Sequence, residues 1–324
     1  MDRLSQIKSP IISDLEQFKE LFNSSLDNSN PLLQEVLSHI KQRKGKMMRP
    51  ILVLLIARLM GKLSASTLHS AVSLELLHTA SLVHDDVVDE SSERRGQASV
   101  NALYNNKISI LVGDYLLATC LIQAAFSGNN AVIRVVSKLG QDLSEGELLQ
   151  LSNVSNVEIS ESVYFDVIRK KTAALFAACT HTAALCAEVS GEQVEIARLF
   201  GEYTGMCFQI KDDIFDYYDD REVGKPTGND MREGKLTLPA IFAINNSQGI
   251  EWKDLAKKIK AGTASEEEIK SMIDFSKQNG GIEYASKVML EYRDKALKLI
   301  ENYPDSDIKH SLVSYLDYVV DRNK

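Results

Sequence analysis

The sequence predicts an all-α protein, and three observations carry that prediction. Apolar residues recur at intervals of three and four, as in Leu74, Leu77 and Ala80 or Leu111, Tyr115, Ala118 and Ile122, while sustained period-two alternation is scarce. Only six prolines occur, and none lies between Ile51 and Lys225, so helices can run there without a forced break. Strand signals are missing. The chain is read as one domain over residues 1–324, a bundle of about 12–13 helices around a central cavity, with residues 1–30 forming an N-terminal helical arm.

In order, the pattern places helices at 11–26, 31–43, 47–60, 64–90, 97–126, 130–151, 159–189, 192–219, 235–246, 250–261, 265–278, 281–302 and 305–322. Pro50 suits the first turn of the third helix, after Gly45, and Gly61 follows Met60 as a stop signal. Ser127-Gly128-Asn129-Asn130 is a turn that separates the fifth from the sixth. The one rich breaker cluster, Gly224-Lys225-Pro226-Thr227-Gly228-Asn229-Asp230, reads as a functional loop.

The composition is that of an ordinary globular protein: 44% hydrophobic, 25% charged, net charge −8. The longest apolar run, Ile51 to Ala57, is far shorter than the roughly 18–20 residues of a membrane span, and the N-terminus lacks the pattern of a secretory signal. A cytoplasmic location is expected. The acidic balance and the lack of a basic tract argue against a nucleic-acid partner. Cys120, Cys179, Cys186 and Cys207 are dispersed among apolar residues without metal-site spacing, and are read as buried free thiols.

The chemistry is concentrated in Asp85-Asp86-Val87-Val88-Asp89, which runs on to Arg94 and Arg95. On a helix Asp85 and Asp89 are i and i+4 and project from one face. Such carboxylates repel one another, and a divalent cation resolves the repulsion: one or two carboxylates with waters and substrate phosphates form the usual Mg2+ sphere. The pattern recurs at Asp212-Asp213-Ile214-Phe215-Asp216, again after an apolar run. Two semi-buried acidic clusters in one helical protein call for cations and, between them, a polyanion. Lys46 and Arg49 at a helix start, Arg94 and Arg95, Lys170-Lys171-Thr172, Lys225 and Lys235 supply cations for it, suggesting two diphosphate sites.

These residues resemble the trans-isoprenyl diphosphate synthase (polyprenyl synthetase) family, and are most similar to its long-chain all-trans members. The resemblance rests on Gly45-Lys46-x-x-Arg49-Pro50, His78-Thr79-Ala80-Ser81-Leu82-x-His84-Asp85-Asp86-x-x-Asp89, Arg94-Arg95-Gly96, Lys171-Thr172, Phe208-Gln209-x-x-Asp212-Asp213-x-x-Asp216, and Gly224-Lys225-Pro226 through Gly234-Lys235-x-Thr237-Leu238-Pro239. It implies an isoprenoid synthase fold, a homodimer with the N-terminal arm at its interface, and about three Mg2+ per active site. It implies successive condensation of isopentenyl diphosphate onto an allylic primer such as farnesyl diphosphate, with peripheral membrane contact for product release. By the same resemblance Asp85, Asp89, Asp212 and Asp216 ligate metal, with Asp86, Asp213 and Lys171 also in the catalytic group. Arg94, Thr172, Gln209, Lys225 and Lys235 serve the allylic diphosphate, and Lys46, Arg49, His78 and Arg95 serve isopentenyl diphosphate. Met47 stands where family members often carry a basic residue.

Product length in the family follows from the depth of the tunnel below the first aspartate motif. Ser81 lies one helical turn before Asp85, with Ala80 beside it, and neither is the aromatic that short-product members usually carry. A long product is therefore expected, with a tunnel floor near Val135 or Val136. The competing readings are a farnesyl or geranylgeranyl diphosphate synthase, a class I terpene cyclase, and a non-catalytic subunit of a heteromeric synthase.

Overall fold

The computed structural model describes residues 2–42, 45–94, 96–154, 159–218 and 227–322. These are nearly all helical, and they group into two compact units. Residues 1–141, 175–201 and 300–315 make the first unit; 142–174, 202–299 and 316–324 make the second.

The first unit is built on the Met48–Met60 helix, whose residues Ile51 to Ala57 are all buried. A helix that is apolar all round must be wrapped on every side. Ile12–Ser25 packs against it and is tied by a bidentate ion pair in which Arg58 Nε and Nη2 donate to the buried Asp14 at 2.7 and 2.6 Å. The 24-residue Ala65–Val88 helix starts at a capping box between Ser64 and Thr67 and runs along Asn106–Phe126. Close approach of those two helices depends on small residues. A Cβ on Gly113 would lie 2.1 Å from His84 Nε2, so only glycine leaves room for the imidazole.

The second unit contains most of the Gly191–Phe215 helix and the Glu161–Ile168, Leu238–Asn245, Ile250–Lys260 and Glu266–Gln278 helices. Trp252 stacks on Phe275 at 3.8 Å and Phe242 on Tyr284 at 4.1 Å between ring centroids. Tyr217 is fully buried, and its hydroxyl accepts the Ala240 N–H while bonding Thr237 Oγ1. It thereby fixes the start of the Leu238–Asn245 helix.

Three expectations are corrected. The helix predicted over 97–126 is instead a two-residue hairpin, Glu93–Arg94 with Gln97–Ala98, followed by the helices Val100–Tyr104 and Asn106–Phe126. The break falls at Asn105, whose φ of +92° no continuous helix admits; its side chain caps the next helix at Ile108 N. The helix predicted over 159–189 is interrupted by a π-helical turn at Arg169–Ala173. Asn106–Phe126 is also long and apolar enough, by length and composition, to cross a membrane. Counting consecutive apolar residues misses it because polar residues such as Ser109, Asp114 and Thr119 interrupt the run. One face of that helix lies against Ala65–Val88, and the other exposes Leu111, Leu121, Ile122 and Phe126. The helix Arg3–Lys8, capped by Asp2, and the short helix Asn229–Arg232 were not anticipated.

Gly201 tests the packing of the first unit. A Cβ there would sit 2.4 Å from the Phe176 carbonyl oxygen and 2.2 Å from Thr180 Oγ1. Backbone cannot yield as a side chain can, so Gly201→Ala is expected to destabilise the protein by about 1–3 kcal/mol, measured by urea denaturation.

Candidate active site

The first acidic motif ends the Ala65–Val88 helix. Asp85 is half-buried, Asp89 is the exposed residue that closes the helix, and Asp86 between them is wholly buried. Asp86 forms an ion pair with Arg94 of the hairpin. Asn101 Nδ2 donates to the carbonyls of Asp86 and Ser91, each at 3.1 Å, and Ser99 Oγ donates to Ser91 O at 2.6 Å. The turn after the motif is therefore fixed by side chains. Carboxylates at a helix C-terminus meet the negative end of the macrodipole, which raises the cost of leaving Asp85 and Asp89 without a cation.

His78, two turns earlier, is buried, and its carbonyl accepts the Ser81 hydroxyl at 2.9 Å. Ala80 is fully buried, Val136 is buried and Val135 half-buried. Lys46 is exposed just ahead of the Met48–Met60 helix, and the Arg49 guanidinium in its first turn lies 5.5 Å from the Phe176 ring centroid. Met47 itself adopts a left-handed conformation, φ +55°, at the entry to this helix. Arg95 and Lys225 lie outside the described residues.

The second acidic motif ends the Gly191–Phe215 helix, and each of its three carboxylates has a different partner. Asp212 Oδ1 accepts Arg322 Nη2 at 2.6 Å; that guanidinium also donates to Phe208 O and stacks 3.9 Å over the Phe208 ring. Asp213 is buried, accepting Tyr164 Oη–H at 2.6 Å and Gln209 Nε2–H at 2.7 Å. Asp216 accepts the backbone N–H groups of Asn229 and Asp230 at 2.9 and 3.1 Å and so holds the Asn229–Arg232 helix.

A cavity of about 260 Å3 opens beside this motif. Its polar wall carries Lys171, Thr172, Gln209, Asp213, Asp230 and Lys235, and its apolar wall Ile159, Val163, Ile168 and Ile241. Lys171 rises from the π-helical turn, hydrogen-bonds Gln150 Oε1 at 3.2 Å and pairs with Glu147. Thr172 donates to Gln209 Oε1 at 2.6 Å, and Lys235 pairs with Glu233.

Burial sets the electrostatics. It pushes Asp230 up to about 7, reinforced by the neighbouring Asp216 charge and opposed by Lys235. Burial and the Asp230 charge also raise Asp213 well above the usual carboxylate range, against the Tyr164 and Gln209 hydrogen bonds that lower it. A pocket that holds acids this uneasily attracts a cation. Among the described residues no three or more acidic, histidine or cysteine side chains are gathered as a ready-made metal cage. The donor set suits Mg2+ nonetheless, because Mg2+ takes one or two hard carboxylate oxygens and completes its shell with water and phosphate. The four cysteines are free and buried, with burial pushing Cys179 and Cys207 up to about 12, which leaves them inert.

Four residues of these sites had no role in the sequence reading: Asp230, Tyr164, Arg322 and Gln150. Asp230 sits inside the breaker loop already singled out. Tyr164 and Arg322 act on partners 49 and 110 positions away, which no local pattern reveals.

An all-α chain with two aspartate-rich helix ends, cations near them and a half-apolar pocket defines a helical enzyme that handles diphosphates through metal. The polyprenyl synthetase family model matches residues 30–275. The chain is 35% identical to an all-trans-nonaprenyl-diphosphate synthase (geranyl-diphosphate specific) of Rhodobacter capsulatus, covering 99% of each. Among solved structures, it is 57% identical to a geranylgeranyl pyrophosphate synthase from Bacteroides thetaiotaomicron, with TM-score 0.88 over 99% of this chain and 100% of that one. It is 29% identical to a polyprenyl synthase from Caulobacter crescentus complexed with calcium and isoprenyl diphosphate, with TM-score 0.92 over 99% and 98%. The chain belongs to the polyprenyl synthetase family, and it is a prenyltransferase.

Asp230 gives the site a pH signature. Its folded value lies above the ordinary carboxylate range, so the folded protein holds a proton that the unfolded chain has lost. That contribution is intact below about pH 4 and is lost as pH rises through about 7. In metal-free protein the melting temperature is expected to fall between pH 5.5 and 8, and the fall to be smaller in Asp230→Asn; calorimetry across that range checks it.

Proposed function

We propose that this enzyme builds a long all-trans polyprenyl diphosphate, of the kind used for quinone side chains, by repeated 1'-4 addition of isopentenyl diphosphate to an allylic primer such as farnesyl diphosphate. The observation that carries the product class is the pair Ala80 and Ser81 one helical turn before Asp85, with Ala80 buried and Ser81 half-buried. No aromatic ring blocks growth there. The second reading, a geranylgeranyl diphosphate synthase, is favoured by the 57% identity to the structure of that name.

Asp85 and Asp89, with Asp212 and Asp216, are assigned to Mg2+, about three ions per site, which would neutralise the allylic diphosphate as a leaving group. Lys171, Lys235, Lys225 and Arg94 add positive charge to that group, and Gln209 and Thr172 hydrogen-bond it. Ion pairs with Glu147, Glu233 and Asp86 hold Lys171, Lys235 and Arg94 ready in the absence of substrate. Lys46, Arg49, His78 and Arg95 orient isopentenyl diphosphate so that its double bond meets the allylic carbon. The departing diphosphate takes the final proton.

The whole chain serves as one catalytic domain in the cytoplasm. A second copy of this chain is the proposed cover for Leu111, Leu121, Ile122 and Phe126, the exposed apolar face of Asn106–Phe126. Peripheral contact with a membrane would receive the product.

Incubation with farnesyl and isopentenyl diphosphates, with and without Mg2+, tests the reading. Products of eight or more isoprene units are expected; a C20 product establishes the second reading, hydrocarbon release a cyclase, and silence until a partner is added a subunit. Asp85→Ala is expected to lower turnover at least about 100-fold with unchanged circular dichroism. Ala80→Phe is expected to shorten the product, read by chromatography of the dephosphorylated alcohols.

A further inference from the structure

The geometry points to Tyr164 as a positioning residue that sets the orientation of the Gln209 amide and, through it, of the Thr172 hydroxyl beside Lys171. The inference rests on the reading that Thr172 and Gln209 face the allylic diphosphate, and it assigns a role to a residue outside every motif.

Four side chains form an unbroken hydrogen-bond chain inside the second unit. Tyr164 donates to Asp213 Oδ2 at 2.6 Å, Gln209 Nε2 donates to Asp213 Oδ1 at 2.7 Å, and Thr172 donates to Gln209 Oε1 at 2.6 Å. Tyr164 and Asp213 are both buried, with 7% and 3% of their surface exposed, so water is a poor substitute for either partner. Gln209 and Asp213 are i and i+4 on one helix, and Tyr164 and Thr172 lie on either side of the π-helical start at Arg169 on the other segment. The chain of bonds thus clamps that irregular turn at both ends. All four residues border the cavity that holds Lys171 and Lys235.

The direction of each bond follows from the first. A carboxylate only accepts, so Gln209 must turn its NH2 to Asp213, which leaves Oε1 for Thr172. Thr172 Oγ1 is then committed as a donor to Gln209, and its lone pairs are left to accept. Tyr164 keeps Asp213 in the accepting state by filling its other oxygen. Without that hydroxyl a buried acid takes up a proton more readily, and Asp213–OH would donate to Oε1 and turn the amide over. Thr172 would then face NH2 and become the acceptor.

Tyr164→Phe removes one hydroxyl. Asp213→Asn reverses the relay without removing volume: its Oδ1 still accepts from Tyr164, while its NH2 forces Gln209 over. Both are expected to lower kcat/KM for the allylic substrate about 10–100-fold, the scale of a small misplacement of a reacting group. KM for isopentenyl diphosphate should stay within about twofold, because the groups assigned to it lie elsewhere. The dissociation constant of an unreactive thiolo-diphosphate analogue of the primer, measured by calorimetry with Mg2+, should rise about tenfold. Tyr164→Phe and Thr172→Val should be strongly non-additive in allylic kcat/KM, the double variant lying within about threefold of the weaker single, since both break one chain.

If Tyr164 only fills space, losses would multiply in the double variant or both substrates' KM values would rise together, and either result overturns the assignment. Unchanged allylic kinetics and analogue binding in Asp213→Asn overturn it as well, even if Tyr164→Phe fails to fold. A wild-type chain that neither turns over nor binds the analogue overturns the functional reading itself, and the relay with it.

Discussion

The structure depends on how an aspartate in the middle of each acidic motif is held. In Asp-Asp-x-x-Asp on a helix, the first and last residues share a face while the second is turned about 100° away, toward the protein. That turn puts Asp86 and Asp213 in low-dielectric surroundings, where a bare carboxylate is costly. Each is matched instead: Asp86 by Arg94, and Asp213 by Tyr164 and Gln209. The middle aspartate is therefore an internal anchor in both motifs. With Asp86 fixed, Asp85 and Asp89 are left facing outward at the helix end, where oxygen ligands for a cation are wanted.

The same logic explains why the helix ends are elaborate. A helix cannot end in three acids and be followed by loose chain, because the negative end of its macrodipole and its unpaired carbonyls add to the repulsion. After the first motif, Asn101 and Ser99 satisfy the carbonyls of Asp86 and Ser91. After the second, Asp216 turns its own oxygens onto the N-terminus of Asn229–Arg232, the positive end of the following helix. One acidic residue thus serves as the cap of another element. The arrangement also carries Asp230 to the cavity wall, close enough for Asp216 to raise its affinity for a proton.

Much of this was legible in the sequence, and the rest was hidden for physical reasons. Helix identity followed from periodicity, because burial of one face is a local property repeated many times along an element. The acidic motifs were visible for the same reason, as close spacing on one helix. The break at Asn105 and the π-helical turn at Arg169 were not, since an apolar period continues through both and only tertiary packing selects the irregular backbone. Tyr164 and Arg322 were invisible because a single residue's partner, 49 or 110 positions away, leaves no periodic trace. Asn106–Phe126 shows the opposite failure: its apolar character spreads over both faces, and a count of uninterrupted residues overlooks it.

Ala65–Val88 joins packing to product length. Ala71, Val72, Leu74 and Leu76 are buried and hold the helix in the core, while Ala80, also fully buried, lies where growth of the product is expected. A residue that limits chain length from inside a packed core has two effects when enlarged: it shortens any tunnel and it overpacks its neighbours, commonly at about 1–3 kcal/mol. Ser81 is freer. It is half-buried, and its hydroxyl is satisfied within its own helix by His78 O, so exchanging it perturbs no other element through hydrogen bonding. Product length can therefore drift more readily at position 81 than at position 80. A small residue kept at both is what a long product requires, and the buried position is the one where the fold itself resists change.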